Sequence, residues 1–356
     1  MNKQIFDQIE ELEHEQVVLC HDKHTGLNAI IAIHDTTLGP ALGGTRMWNY
    51  ATKGAGITDA LRLSRGMTYK AAISGLNLGG GKAVIIGDPA TKSEALWRRY
   101  GKFVNSLGGK YITAEDVNTS TKDMEYIHME TKHVTGIPKY MGGSGDPSPF
   151  TAYGTFVGIK ACANRKWGSD SLSGKKILVQ GVGHVGQYLV EHLTKAGAEV
   201  LISDIDQYKI KETVDAHGSK VIDPNEIFDV DMDIYAPCAL GATVNDDSIP
   251  KLKCEIIAGA ANNQLKNEDQ HGKAIREKDI LYAPDFLINA GGLMNVAAEA
   301  YSMYNEEKVT ADVEEIYARM HMIFDKANDE NLTNQAAAIK LAEERIAAVG
   351  KINAVL

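Results

Sequence analysis

The sequence predicts an α/β protein of two domains, the second built on a doubly wound parallel sheet. Three observations carry this. The chain has 356 residues, a length at which one hydrophobic core usually gives way to two. The stretch 138–149 is rich in Gly, Ser and Pro and reads as a hinge. Beyond it, short apolar runs alternate with helical patterns, the order that packs helices on both faces of a parallel sheet. These features place a first domain at 1–147 and a second at 148–330, with a closing stretch, 331–356, expected to pack back on the first.

In the first domain, residues 1–13 read as a short helix with Ile5, Ile9 and Leu12 on one face. Runs at 16–20 and 28–34 read as strands, and the polar, glycine-containing connector between them predicts a hairpin. Residues 39–44 read as a turn-rich loop. Ile57, Ala60, Leu61, Ser64, Met67 and Ala71 recur at helical spacing, so a helix carries Lys70 near its end. Gly79-Gly80-Gly81 then leads to Lys82 and a strand at 83–86, which Gly87-Asp88-Pro89 stops. A helix at 93–107, a strand at 111–113 running into Glu115-Asp116, and a helix at 123–131 follow.

The second domain opens with an apolar helix at 150–166. Strands at 177–180, 199–203 and 219–222 alternate with helices at 184–196 and 207–217. Further strands at 231–236, 254–258 and 280–283 complete the set. The end is helical, at 293–304, 310–327 and 333–349, with Thr333 as N-cap of the last.

Composition narrows the classes of function. Apolar residues make up 44% and charged residues 24%, the proportions of a soluble globular chain. A net charge of −10 and a pI near 5.6 argue against a nucleic-acid partner. No apolar run reaches the roughly 18 residues of a membrane span, and residues 1–16 are polar and acidic, without a signal-peptide core. Cys20, Cys162, Cys238 and Cys254 are scattered with no Cys-x-x-Cys, which reads as reduced, mostly buried thiols in a cytoplasmic protein. Histidines and cysteines show no metal-ligand spacing, so no metal is expected.

Gly181-Val182-Gly183-His184-Val185-Gly186 follows a strand and opens a helix, and Asp204 ends the next strand. That context is the dinucleotide-binding fingerprint. Gly181 makes the tight turn, Gly183 admits a pyrophosphate, and Gly186 lets helix and strand pack closely. The helix start at His184 and Val185 offers free N–H groups to phosphates. Asp204 would accept hydrogen bonds from ribose hydroxyls and repel a 2′-phosphate, favouring NAD over NADP.

Lys70 and Lys82 both sit among apolar or small residues. Two ammonium groups in one desolvated pocket disfavour each other's charge. One can stay charged by holding a substrate carboxylate. The other can then work as an acid or base, a task suited to a lysine lowered to roughly 7–8.

Four motifs occur in order: Pro40-Ala41-Leu42-Gly43-Gly44-Thr45-Arg46, Met67-Thr68-Tyr69-Lys70, Gly79-Gly80-Gly81-Lys82-Ala83 and Ala114-Glu115-Asp116-Val117. Together they resemble the amino-acid dehydrogenases of glutamate, leucine, phenylalanine and valine over nearly the whole chain, with the leucine branch nearest. The resemblance implies an N-terminal α/β substrate-binding and oligomerisation domain, a Rossmann-type NAD-binding domain and a cleft between them. It implies that Lys70 binds the substrate α-carboxylate with Gly43, Gly44 and Asn263. Lys82 would be the catalytic lysine, and Asp116 would meet the α-amino group and help shuttle protons. Ala236 and Cys238 would lie along the cofactor, with Asn262 near the nicotinamide ribose and Ala260 and Thr151 among the other cofactor contacts.

The resemblance also bears on the substrate's side chain. Glutamate dehydrogenases carry a lysine directly before the paired glycines, where this chain has Leu42, and a polar residue where it has Val296. A buried distal carboxylate would lack a partner, so glutamate should be rejected. Leu42, Met67, Leu293 and Val296 suggest an apolar pocket, bordered by Ala114 at a position that often differs in phenylalanine dehydrogenases. Leu293 is larger than the β-branched residue common in leucine dehydrogenases and could shrink the pocket. The expectation is an NAD-dependent dehydrogenase of branched-chain L-amino acids, leucine first. The alternatives are an aromatic amino-acid dehydrogenase on the same scaffold and a non-catalytic NAD-binding regulator. A homo-oligomer, an octamer by resemblance, is expected.

Overall fold

The structure, a computed structural model, describes residues 5–301 and 304–353. The first four residues of the helix expected at 1–13, residues 302–303 of that expected at 293–304, and 354–356 of the closing stretch lie outside the described residues. Contacts divide the chain into two compact units. One runs to Asp146 and takes back Asn295–Glu306 and the chain from Ala342 onward; the other is Pro147–Met294 with Glu307–Leu341. The expected 148–330 block is therefore interrupted, and only the later part of the closing helix joins the first unit.

The first unit contains α1 (Ile5–Glu11), β1 (Gln16–Asp22), β2 (Leu27–Asp35), β3 (Ala41–Trp48), α2 (Lys53–Ile73), β4 (Gly79–Ile86), α3 (Glu94–Ser106), β5 (Tyr111–Glu115) and α4 (Thr121–His128). Its five-stranded sheet has the order β1-β2-β4-β3-β5. The first hairpin is antiparallel as expected, β2 and β4 are antiparallel, and β3 runs parallel to both β4 and β5. Strand alternation sorts the sheet into two faces. Ile30, Ala32 and Val84 pack on Ile57, Ala60 and Leu61 of α2. Ile31, Ile33, Ala83 and Ile85 pack on the other side with Trp97, Tyr100, Met124 and Ile127 of α3 and α4.

Two expectations are corrected here. The stretch 39–44 is not a loop: from Ala41 it enters β3, which lies between β4 and β5. The strand expected at 83–86 begins earlier, at Gly79, so the three glycines and Lys82 make up the first half of β4. Glycine usually weakens a strand. Here neighbouring backbone leaves no room for a side chain, since a Cβ on Gly43 would lie 1.6 Å from the Gly81 carbonyl oxygen. Helix α2 is anchored at its end by Arg345, whose guanidinium donates to the carbonyls of Ala72 (2.9 Å), Gly75 (3.2 Å) and Leu76 (2.7 Å).

The second unit contains α5 (Ser148–Trp167), β6 (Lys176–Gln180), α6 (His184–Lys195), β7 (Glu199–Ser203), α7 (Gln207–His217), β8 (Lys220–Val221), β9 (Ile234–Pro237), β10 (Ile256–Ile257), α8 (Glu268–Glu277), β11 (Leu281–Tyr282) and α9 (Asp285–Ile288). Helices α10 (Gly291–Ala300), α11 (Glu306–Glu314), α12 (Ile316–Asp329) and α13 (Asn334–Asn353) follow. Every pairing in its sheet is parallel, in the order β11-β10-β9-β6-β7-β8. The order reverses between β6 and β9, the switch point where doubly wound sheets bind ligands. The single helix expected at 310–327 is two, α11 and α12. Helix α8 was not expected, because it buries only His271, Gly272 and Ile275 and so shows little apolar period. Thr333 caps α13 as expected, its Oγ1 accepting from the Ala336 N–H at 3.2 Å.

Candidate active site

Strand register brings the predicted residues of the first unit together. Leu42 pairs with Gly80 on one side and Ile112 on the other, and Gly44 pairs with Ala114. With a period of two, Leu42, Gly44 and Arg46 of β3, Gly80 and Lys82 of β4, and Ala114 of β5 share one face. That face is covered by α2: a Cβ on Gly80 would lie 2.1 Å from Thr68 Oγ1 and 2.4 Å from the Ser64 carbonyl oxygen. The Gly80 side of β4 is thus sealed by helix backbone, and Lys82 emerges two residues on.

Lys82 Nζ lies 2.8 Å from Asp116 Oδ1, with the lysine side chain 6% exposed and the aspartate 21%. Asp116 Oδ2 accepts from Arg46 Nε at 2.7 Å. A tight turn holds the aspartate, with its N–H donating to Thr119 Oγ1 at 2.8 Å and its carbonyl accepting from the Thr119 N–H at 3.1 Å. Burial pushes the Asp116 carboxyl up, but the Lys82 ammonium and Arg46 guanidinium outweigh it and hold the group at about 2. It is a carboxylate throughout the neutral range. Paired with cations, it makes the charge of a largely buried lysine tolerable.

The other predicted residues of this unit lie on α2, β3, β5 and α10. Lys70 is half-buried in the last turn of α2, one turn after half-buried Met67. Leu42 is 1% exposed and Ala114 is buried, while Val296 on α10 is half-buried. Gly43 and Gly44 have a packing reason as well as the expected binding one. A Cβ on Gly44 would meet the Glu115 carbonyl oxygen at 2.4 Å and Asp116 Cβ at 2.8 Å. Arg46 had no assigned role, although it closes the Pro40 to Arg46 motif; alternation from Leu42 would have placed it on the lysine's face.

In the second unit, Gly181 turns with φ 101° and its N–H donates to the Ser203 carbonyl at 2.7 Å. A Cβ on Gly186 would lie 2.0 Å from the Gly181 carbonyl oxygen, so only glycine lets α6 pack there. Gly183 is the N-cap of α6, offers no capping side chain, and has nothing within 4 Å of a built Cβ. The open N-terminus at His184 and Val185 fits the phosphates of a dinucleotide. Asp204 Oδ2 accepts from the Val182 N–H at 2.7 Å and Oδ1 from the Asp206 N–H at 2.9 Å. It ties the glycine turn to the end of β7, and each oxygen keeps lone-pair capacity for a ribose hydroxyl.

Ala236 and Cys238 flank the switch point. The Cys238 N–H donates to the Gln180 carbonyl at 2.7 Å, and Ala239 meets the Gly181 turn. Asn289, without an expected role, organises the other wall: its Nδ2 donates to the Ala260 carbonyl (3.0 Å) and to Asn262 Oδ1 (2.7 Å). Asn263 is exposed with φ 52°, a left-handed conformation that asparagine tolerates. Thr151 Oγ1 donates to the Pro147 carbonyl at 3.1 Å and abuts Gly292, and neighbouring Leu293 is buried. The four cysteines are free, and burial pushes the Cys238 thiol up to about 12. Among the described residues no helix is long and apolar enough to cross a membrane, and no group of His, Cys, Asp or Glu is arranged to hold a metal ion.

Residues 14–133 match the family model "Glu/Leu/Phe/Val dehydrogenase, dimerisation domain", and residues 142–213 and 202–354 match "Glutamate/Leucine/Phenylalanine/Valine dehydrogenase". The chain is 54% identical to a leucine dehydrogenase of Bacillus cereus over 98% of its own length and 95% of the relative's. It is 44% identical to a phenylalanine dehydrogenase of Thermoactinomyces intermedius, over 99% and 97%. The crystal structure of L-tryptophan dehydrogenase from Nostoc punctiforme superposes with a TM-score of 0.85 at 46% identity, covering 97% of this chain and 99% of that one.

Proposed function

From the premise that this chain belongs to the glutamate/leucine/phenylalanine/valine dehydrogenase family and is an amino-acid dehydrogenase, we propose that it oxidises branched-chain L-amino acids, leucine first, with NAD. The products are the 2-oxo acid and ammonia. The observation that carries the reading is the Lys82–Asp116 pair, seated on an apolar sheet face with Leu42 and Ala114. Glutamate would bring a second carboxylate to a face whose Lys82 and Arg46 are already paired with Asp116.

Lys70 holds the α-carboxylate. Asp116, ionised at neutral pH, draws the α-amino group, and the proton that group sheds leaves by way of the Lys82 contact to solvent before the water step, so that Lys82 is again a base. The chemistry a bound nicotinamide cofactor would supply is that of an acceptor for the Cα hydride. Lys82 then takes a proton from the water that attacks the iminium carbon, and returns one to the departing ammonia as the carbinolamine collapses. In the second unit, Gly181, Gly183, His184, Val185, Gly186 and Asp204 would hold the cofactor, with Thr151, Ala236, Cys238, Ala260 and Asn262 along it. Asn263 and Leu293 keep the substrate roles implied by resemblance. We also place the protein in the cytoplasm as a homo-oligomer, an octamer; light scattering after size exclusion gives the subunit number.

The test is NADH formation, followed by absorbance, with leucine, valine, isoleucine, phenylalanine, tryptophan and glutamate. Branched-chain substrates should have the highest kcat/KM. The tryptophan and phenylalanine relatives keep an aromatic substrate as the second reading, and an aromatic optimum in this panel would establish it. Turnover with none would leave an NAD-binding regulator.

Two variants probe specificity. Asp204→Ala should narrow the preference for NAD over NADP, because the charge that repels a 2′-phosphate is gone. Equal or greater discrimination would remove Asp204 from the ribose site. Leu42→Lys should lower leucine turnover and admit some glutamate binding. Because Leu42 is 1% exposed, the added ammonium should also destabilise the fold by about 3 kcal/mol or more unless a carboxylate meets it. Untouched leucine kinetics would move the side-chain pocket elsewhere.

A further inference from the structure

The Lys82–Asp116 pair does not stand alone. Arg46 bridges two carboxylates: Nε donates to Asp116 Oδ2 at 2.7 Å and Nη1 to Asp59 Oδ2 at 3.0 Å. The same Asp59 oxygen accepts from the Tyr50 hydroxyl. The result is a chain of alternating groups, Tyr50–Asp59–Arg46–Asp116–Lys82, drawn in that order from the β3–α2 connection, α2, β3, the end of β5 and β4. Its outer end, at Tyr50 and Asp59, lines an open cavity of about 1020 Å³, and its inner end is the buried lysine. Two cations and two anions balance.

From this geometry we infer that Arg46 is a positioning residue for catalysis: it clamps Oδ2 of Asp116, so that Oδ1 alone faces Lys82 and the substrate's amino group. The inference rests on the reaction proposed above and adds a part to it. A carboxylate free to rotate would offer either oxygen and lose alignment with Lys82. Arg46 prevents this with a fork that reaches both carboxylates at once, a geometry a lysine cannot reproduce. Asp59 holds the fork in turn, so the orientation of Asp116 is set from α2, the helix that carries Lys70.

Electrostatics point the same way. The groups facing Asp116 are Lys82 from β4 and Arg46 from β3, with Asp59 and Tyr50 behind the arginine and the Tyr111 phenol on β5. Arg46 is 22% exposed; burial disfavours its charge, but Asp116 and Asp59 more than restore it. Against the upward push of burial, Arg46 is the second cation, after Lys82, that keeps Asp116 ionised. Removing it lets the Asp116 carboxyl rise. The acid limb of the activity profile then moves to higher pH, because protonated Asp116 can no longer attract the amino group.

Three variants test this: Arg46→Gln, Arg46→Lys and Asp59→Asn, each assayed for kcat and KM across pH with the best amino acid of the panel. Arg46→Gln should lose about ten- to a hundredfold in kcat, the range that outer partners of reacting groups command at metal sites. Its KM should change much less than its kcat, and its acid limb should move up. Arg46→Lys, keeping the charge without the fork, should return the limb most of the way while recovering kcat only in part. Asp59→Asn should act in the same direction as Arg46→Gln, more weakly. A purely structural arginine would lower the melting temperature and leave the limb where it is; that result, or a wild-type kcat in a folded Arg46→Gln, overturns the inference. If Arg46→Gln does not fold, a wild-type kcat and limb in both other variants overturns it equally. Failure of the proposed reaction is separable. A ¹³C-carboxyl NMR titration, with the Asp116 signal identified by Asp116→Asn, needs no substrate: a higher midpoint in Arg46→Gln or Asp59→Asn supports the clamp, and an unchanged one refutes it.

Discussion

Lys82→Ala should lower kcat by roughly 10²–10⁴-fold, the usual weight of a positioned proton-transfer group. The loss should fall on kcat more than on KM, because proton transfer is made in the transition state and not in substrate binding. Structure bears on how cleanly this can be read. Truncation leaves Asp116 paired with Arg46 at 2.7 Å, so no unpaired buried carboxylate is created and the fold should survive. The lost side chain is 6% exposed, on strand β4 between β2 and β3, and the sheet around it is held by its own ladders. A circular dichroism melt close to wild type should therefore accompany a nearly inactive enzyme. Near-normal kcat from neutral to strongly alkaline pH would refute the catalytic assignment.

Lys70→Ala should fail differently. The contact proposed for it with the substrate carboxylate would exist in the ground state and the transition state alike, and loss of such uniform binding raises KM with little change in kcat. A hydrogen bond to a charged group is worth about 1.5–3 kcal/mol, or about ten- to a hundredfold in KM. Lys70 is half-buried in the last turn of α2, whose end is also held by Arg345, so the variant should keep the helix in place. Amino acid amides, which lack the carboxylate, should discriminate less between wild type and variant than the amino acids do. Unchanged KM for the amino acid, with wild-type discrimination against the amide, would remove Lys70 from the carboxylate site.

The two lysines were legible early because each stands in a short local pattern, one on a helical period and one behind three glycines. Arg46 was not, although the motif that contains it was. Its partner Asp116 lies seventy positions away, and only the register of β3 against β5 brings the two together. Asn289 shows the same limit. It sits in a recognisable glycine-rich run, but its contacts with Ala260 and Asn262 depend on the order of β10 and β11 in the sheet.

What the chain's sequence determined by itself was whatever depends on neighbours within a turn or two: the α2 face from Ile57 to Ala71, the glycine turn at Gly181, β7 and α7 at their observed bounds, and the two-unit α/β class. What only tertiary structure decided was the state of the glycine runs and the wiring of the site. Gly43, Gly44 and Gly79 to Gly81 have turn propensity and strand conformation, because adjacent strands supply the hydrogen bonds, and neighbouring strands, helix α2 at Gly80 and the Tyr111 ring at Gly81 leave no room for a Cβ. Local propensity is a matter of tenths of a kcal/mol per residue, whereas sheet register turns whole rows of side chains to one face or the other, and here it turned Arg46, Lys82 and Asp116 to the same one.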